Sequence, residues 1–168
     1  MPILSVGRAN KASGGAAGVT LLELLIVMAI IGLMAGVSFP AISSGLDSIK
    51  LTTAADSIVA FLNGTLNRAD RHQQAVALLV RPRENRLEAF SNEAGYTREL
   101  QMPDGITIEA VLPALPGQPP GEPRGLVVMP GSTAPGIGIQ IANRRGARRI
   151  VRVDPMTGFP RVESVNTK

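Results

Sequence analysis

The sequence predicts an α+β fold, with one long N-terminal helix followed by short antiparallel strands. Three observations predict it. From Val19 to Phe39 the chain is apolar on every face except at Glu23, with nothing else more polar than Thr20 and Ser38. From Ile42 to Val76 apolar residues recur mostly at spacings of three and four. Beyond that point the period shortens, and the apolar runs are punctuated by Pro, Gly and Asn. A helix followed only by short strands is α+β.

The apolar stretch VTLLELLIVMAIIGLMAGVSFPAI, residues 19–42, is read as a membrane-spanning helix. About 20 apolar residues cross a hydrocarbon core of about 30 Å, and a surface helix of a globular protein shows an apolar stripe rather than an apolar cylinder. Glu23 near its start is expensive. An acidic group costs about 2.5–3.5 kcal/mol at the bilayer centre and usually implies a partner. Residues 1–18, MPILSVGRANKASGGAAG, carry Arg8 and Lys11 and no acid. Cations ahead of a span keep that side in the cytoplasm. A secretory signal peptide places its apolar stretch before the cleavage site, whereas here it follows the small-residue segment.

The helix is expected to run from residue 20 to about 74. Pro40 removes one backbone N–H and kinks a helix rather than ending it in this setting. Past it, Ile42, Leu46, Ile49, Ala54, Ile58, Phe61, Leu62, Leu66, Ala69 and Val76 form an amphipathic stripe, with Asp47, Lys50, Asp56, Asn63, Asn67, Arg68, Asp70 and Arg71 mainly off it. Gly64 weakens the helix by about 1 kcal/mol relative to Ala. Strands are expected at 75–81, 86–90, 96–101, 106–112, 125–129, 136–141, 147–154 and 159–163, with turns at 82–85, 103–105, 143–146 and 155–158. The segment 113–124, PALPGQPPGEPR, holds five prolines and two glycines, so it reads as an exposed loop.

Composition narrows the function classes. Aromatics make up 3 % of the chain, so its core must be built from Val, Ile, Leu and Ala. Cysteine is absent, which excludes disulfides, thiolate metal sites and a Cys nucleophile. Net charge is +4, of which Arg8 and Lys11 supply two, leaving about +2 from Val19 onward, too weak to argue for nucleic acid by itself. No calcium loop is visible as a clustered Asp/Asn run. Ser43, Ser44 and Ser57 lack a His/Asp partner set. Gly136-Ile137-Gly138 precedes no helix, so it is no phosphate loop. His72, the single histidine, sits near the helix end without a second ligand beside it. Nothing argues for catalysis, a cofactor or a metal site.

Gly18 followed by Val19-Thr20-Leu21-Leu22-Glu23 and an unbroken apolar helix resembles the class III signal of type IV pilins and type II secretion pseudopilins. The resemblance implies cleavage by a prepilin peptidase between Gly18 and Val19, N-methylation of Val19, and a mature chain in which Glu23 is fifth. The first mature residue of that family is usually Phe and is Val here. Glu23 would then meet the N-terminal amine of a neighbouring subunit during assembly, each neutralising the other in a low-dielectric setting. The segment 62–79, the strand ending in Pro130-Gly131, the two following hairpins and the turn Asp154-Pro155-Met156-Thr157-Gly158 resemble the domain shared by H-type minor pseudopilins of type II secretion and FimT-like minor type IV pilins. The implied organisation is a leader at 1–18, a transmembrane helix at 19–41 and a periplasmic pilin-like domain at 42–168, on a single-pass inner-membrane protein. Implied partners are other minor pseudopilins, the major pseudopilin, the inner-membrane assembly platform and the prepilin peptidase.

The cluster Arg144, Arg145, Arg148, Arg149 and Arg152 contains no acid within it. It reads as a solvated hairpin that discourages edge pairing, as a contact for an acidic face on a partner pilin, or as a DNA-phosphate surface. FimT-like pilins are thought to use a basic C-terminal hairpin on DNA, and their Gly-Arg-rich ending corresponds to Gly158-Phe159-Pro160-Arg161, where Phe and Pro replace polar residues. Two functions follow: a minor pseudopilin of type II secretion, or a DNA-binding minor pilin for natural transformation.

Overall fold

The computed structural model describes residues 20–91, 95–117, 119, 121–131 and 136–165, apart from the side chains of 39–44. Helix α1 spans Leu21–His72. Eight strands follow: β1 (Val76–Arg81), β2 (Arg86–Ser91), β3 (Thr97–Gln101), β4 (Ile106–Leu112), β5 (Arg124–Val128), β6 (Gly138–Asn143), β7 (Arg148–Val153) and β8 (Pro160–Val165). The expected α+β class is the observed one. The chain divides into two compact units, Met1–Pro40 and Ala41–Lys168.

In the first unit, Leu21–Ser38 has a mean hydropathy of 2.4 and none of it is buried. Leu21, Leu33 and Val37 are each more than 70 % exposed. A helix this apolar is long enough to cross a membrane. Helical structure continues through Pro40, as expected of a proline that does not terminate the element.

In the second unit, strands pair antiparallel in two four-stranded sheets, ordered β3-β2-β1-β5 and β4-β6-β7-β8. Residues 51–69 of α1 supply Leu51, Ala54, Ala55, Ile58, Phe61, Leu62 and Ala69 to one core. The first sheet contributes Val76, Leu78, Val80, Leu87 and Ala89, and the second Ile106, Ile108, Ile139, Ile141, Val151 and Val153. Alternation places these residues on one face of each sheet, and full burial of a side chain such as Ile58 contributes about 1.5–3 kcal/mol. The stripe expected from sequence starts too early. Leu46 and Ile49 are 54 % and 63 % exposed, Ile42 lies outside the described side chains, and packing begins at Leu51. Thr65 takes a buried position on the stripe by donating its hydroxyl to the Phe61 carbonyl at 2.9 Å.

Two polar residues set the joints. Asn85, at φ 53°, ends a 3-10 turn over Pro82–Glu84, where a simple turn was expected. Its side chain then bridges to the other sheet, with Oδ1 accepting from the Ile108 N–H at 2.9 Å and Nδ2 donating to the Ile106 carbonyl at 3.3 Å. Asp154 builds the β7–β8 turn by accepting the Met156 N–H at 2.8 Å and the Thr157 N–H at 3.4 Å. The Met156 N–H first, and the Thr157 donors after it, hold the Asp154 carboxyl below its ordinary value.

Candidate functional site

Gly18 and Val19 lie outside the described residues. The description starts at Thr20, which caps the helix. Its Oγ1 accepts the N–H of Glu23 at 3.2 Å, and Glu23 is the acid of the first helical turn. Thr-x-x-Glu is a capping-box pattern, and a carboxylate here favours the positive end of the helix dipole. Glu23 therefore has a local reason for its place besides any partner. Sequence reading used Thr20 as part of the Gly18–Glu23 signal but not as a helix cap, although the spacing of Thr20 and Glu23 carried that reading too. A helix N-terminus already suited to a carboxylate lowers the cost of keeping one at the edge of an apolar span.

The arginine hairpin is not one surface. Arg144 and Arg145 occupy the turn between β6 and β7. Along β7, Arg148 and Arg152 share a face with Ile150, whereas Arg149 lies on the opposite face with buried Val151 and Val153. Three of the five have carboxylate partners on other elements of the chain. Arg145 Nε lies 2.9 Å from Asp47 Oδ2 of α1, and Arg152 Nε lies 3.5 Å from Glu163 Oε2 of β8. Arg148 grips Glu109 with two bonds, Nε to Oε2 at 2.7 Å and Nη2 to Oε1 at 3.3 Å. Arg144 and Arg149 form no ion pair with another described residue.

The second unit is arranged to make these pairs. Glu109 sits where the β4–β6 register shifts between Ile108 and Ala110. The extra residue of a β-bulge re-aims a side chain, and here the carboxylate meets Arg148 and also Gln140 Nε2 at 2.8 Å. The Arg148 hydrogen bond holds the Glu109 carboxyl below its ordinary value, partial burial opposes this, and Gln140 adds to it. The turn itself hangs on Asn143, only 8 % exposed. Its Oδ1 accepts the N–H groups of Arg145 at 3.0 Å and Ala147 at 2.9 Å, and its Nδ2 approaches the Asp47 carbonyl at 3.5 Å. Gly146, at φ 81°, supplies the left-handed residue that closes the turn. The hairpin is thus fastened to α1 by Asn143 and Arg145 together. Sequence reading found the arginines and the turn at 143–146 but not the pairing with Asp47 or Glu109, because those partners stand 98 and 39 residues away along the chain.

His72 sits in the last helical turn, its Nε2 3.4 Å from Arg68 Nη1. Among the described residues no three His, Asp or Glu side chains come together as a metal site requires.

Comparison with known proteins places one segment. Residues 14–39 match the family model described as the prokaryotic N-terminal methylation motif. The match covers Gly18, Val19 and Glu23 and runs into the exposed apolar helix. It indicates a type IV pilin-like or pseudopilin signal at the N-terminus, and the apolar helix that follows it is long enough to anchor the chain in a membrane. Neither the curated proteins nor the solved structures gave a match to the chain.

Proposed function

We propose that the chain is a minor pseudopilin of H type, a structural subunit of the periplasmic pseudopilus of a type II secretion system. The observation that carries this reading is the methylation motif at residues 14–39, which runs directly into an apolar helix with none of Leu21–Ser38 buried. Prepilin peptidase would cut after Gly18 and methylate Val19. The apolar helix would hold the subunit in the inner membrane until Glu23 meets the new amine of a neighbour. The domain from Ala41 onward would then stand in the periplasm and contact the other minor pseudopilins and the major pseudopilin. Ion pairing inside the arginine hairpin favours this reading over DNA uptake. Arg145, Arg148 and Arg152 already answer to Asp47, Glu109 and Glu163, which leaves little free charge for a phosphate backbone whose binding depends on several simultaneous contacts.

The test is isolation of the epitope-tagged chain from membranes of its own cells after mild cross-linking. Recovery of other pseudopilins, with loss of exoprotein secretion on deletion, is the expected result. Normal secretion on deletion, with recovery of pilus and competence proteins, would refute it.

A further inference from the structure

A second basic group, on the opposite end of α1 from Glu23, lies in a cleft of about 360 Å³ between the last turns of that helix and β3. Helical spacing brings Gly64, Arg68 and Arg71 to one face, and strand alternation adds Tyr96 and Arg98. The arrangement is built rather than incidental. A Cβ at position 64 would stand 2.6 Å from Arg98 Nη1, closer than real Cβ atoms come. The glycine therefore makes room for the Arg98 guanidinium to lie against the helix. The Arg68 guanidinium stacks on the Tyr96 ring at 3.8 Å, so it is held in place beside the other two.

Two of these three arginines are not answered as those of the hairpin are. Arg71 and Arg98 form no ion pair with a described residue, and the nearby Glu99 is engaged by Arg86 at 3.3 Å. We propose that this cleft receives an acidic segment of a partner protein, whose carboxylates bind Arg71 and Arg98. Charge complementarity selects the acid, since guanidinium groups match carboxylates in a two-bond fork. The partner is protein rather than single-stranded nucleic acid because the cleft's large aromatic face, Tyr96, is already covered by Arg68, and its other ring, His72, stands against the same Arg68 at 3.4 Å. β3 is the edge strand of its sheet, which leaves one side open to a second chain. The site is separate from the arginine hairpin and does not depend on processing at Gly18.

The test uses the full chain in a non-ionic detergent and a fluorescein-labelled oligoglutamate peptide, read by anisotropy at low ionic strength. The expected result is saturable binding that weakens about tenfold or more on combining Arg71→Glu with Arg98→Glu, two charge-assisted contacts being lost. Gly64→Ala separates site from scaffold, because its Cβ displaces Arg98 while Ala favours the helix. It should raise the unfolding midpoint and still weaken the peptide severalfold. Absence of peptide binding by the wild type, or binding unchanged by the double reversal, would overturn the proposal. So would displacement of the peptide by duplex DNA at lower concentration than by unlabelled oligoglutamate, which would assign the cleft to nucleic acid.

Discussion

Replacing Glu109 by Gln tests whether the arginine hairpin is internal structure or a surface held ready for a ligand. The substitution keeps the shape of the side chain and removes its charge. Glu109 accepts two bonds from Arg148 and one from Gln140. Hydrogen bonds to charged groups are worth about 1.5–3 kcal/mol, and exposed ion pairs about 0.2–1 kcal/mol. The two side chains are 31 % and 36 % exposed, which screens the pair and sets the expected loss near the lower figures, about 1 kcal/mol. For a unit the size of Ala41–Lys168 this corresponds to a fall in melting temperature of about 3–5 °C. The pH dependence follows from the lowered carboxyl of Glu109. A depressed folded-state pKa contributes stability above the unfolded value, about 4.3, and loses it as pH falls through the folded one. The gap between wild type and Glu109→Gln should thus be full at neutral pH and close in acid. Circular dichroism melts of the full chain in non-ionic detergent, over a pH series, measure it. Equal melting at neutral pH, or a gap that persists unchanged in acid, would refute the assignment of Arg148 to the fold.

Other outcomes follow from the same geometry. Glu23→Leu should leave membrane insertion intact, because the costly charge is gone, yet prevent co-isolation with other pseudopilins; normal co-isolation would count against its assembly role. Asn143→Ala leaves the N–H groups of Arg145 and Ala147 without their acceptor and should lower stability by about 1–3 kcal/mol; a melt within a few tenths of wild type would show that the turn holds without it. Duplex DNA should not be shifted by the full chain in detergent at physiological salt, and charge reversal at Arg145 and Arg148 should change that little; a low-micromolar shift abolished by reversal would move the chain to the DNA-uptake class.

The elements were legible in the sequence because their periods are local. Residues 106–112 alternate between core and solvent until the bulge, and the strand observed there has those bounds. Turns at 103–105, 143–146 and 155–158 carry glycines whose left-handed backbone only the sequence signal of Gly makes visible. What was not legible depends on contacts between distant residues. Leu46 and Ile49 continue the helical stripe by spacing, but among the described residues they stay more than half exposed. Gly64 reads as a weak point of the helix until Arg98 is seen against it. The arginine run reads as uncompensated charge because Asp47 and Glu109 stand 98 and 39 residues from their partners. Spacing along a chain predicts which face a residue shares, not which distant carboxylate meets it.

The central claim is that this chain is a processed pilin-like subunit, and the mature N-terminus tests it most directly. Mass spectrometry of the protein purified from membranes of cells with active prepilin peptidase should find a chain that begins at N-methylated Val19, and a bulky residue at position 18 should abolish that species. An intact Met1 terminus on the membrane form in those cells would contradict the account.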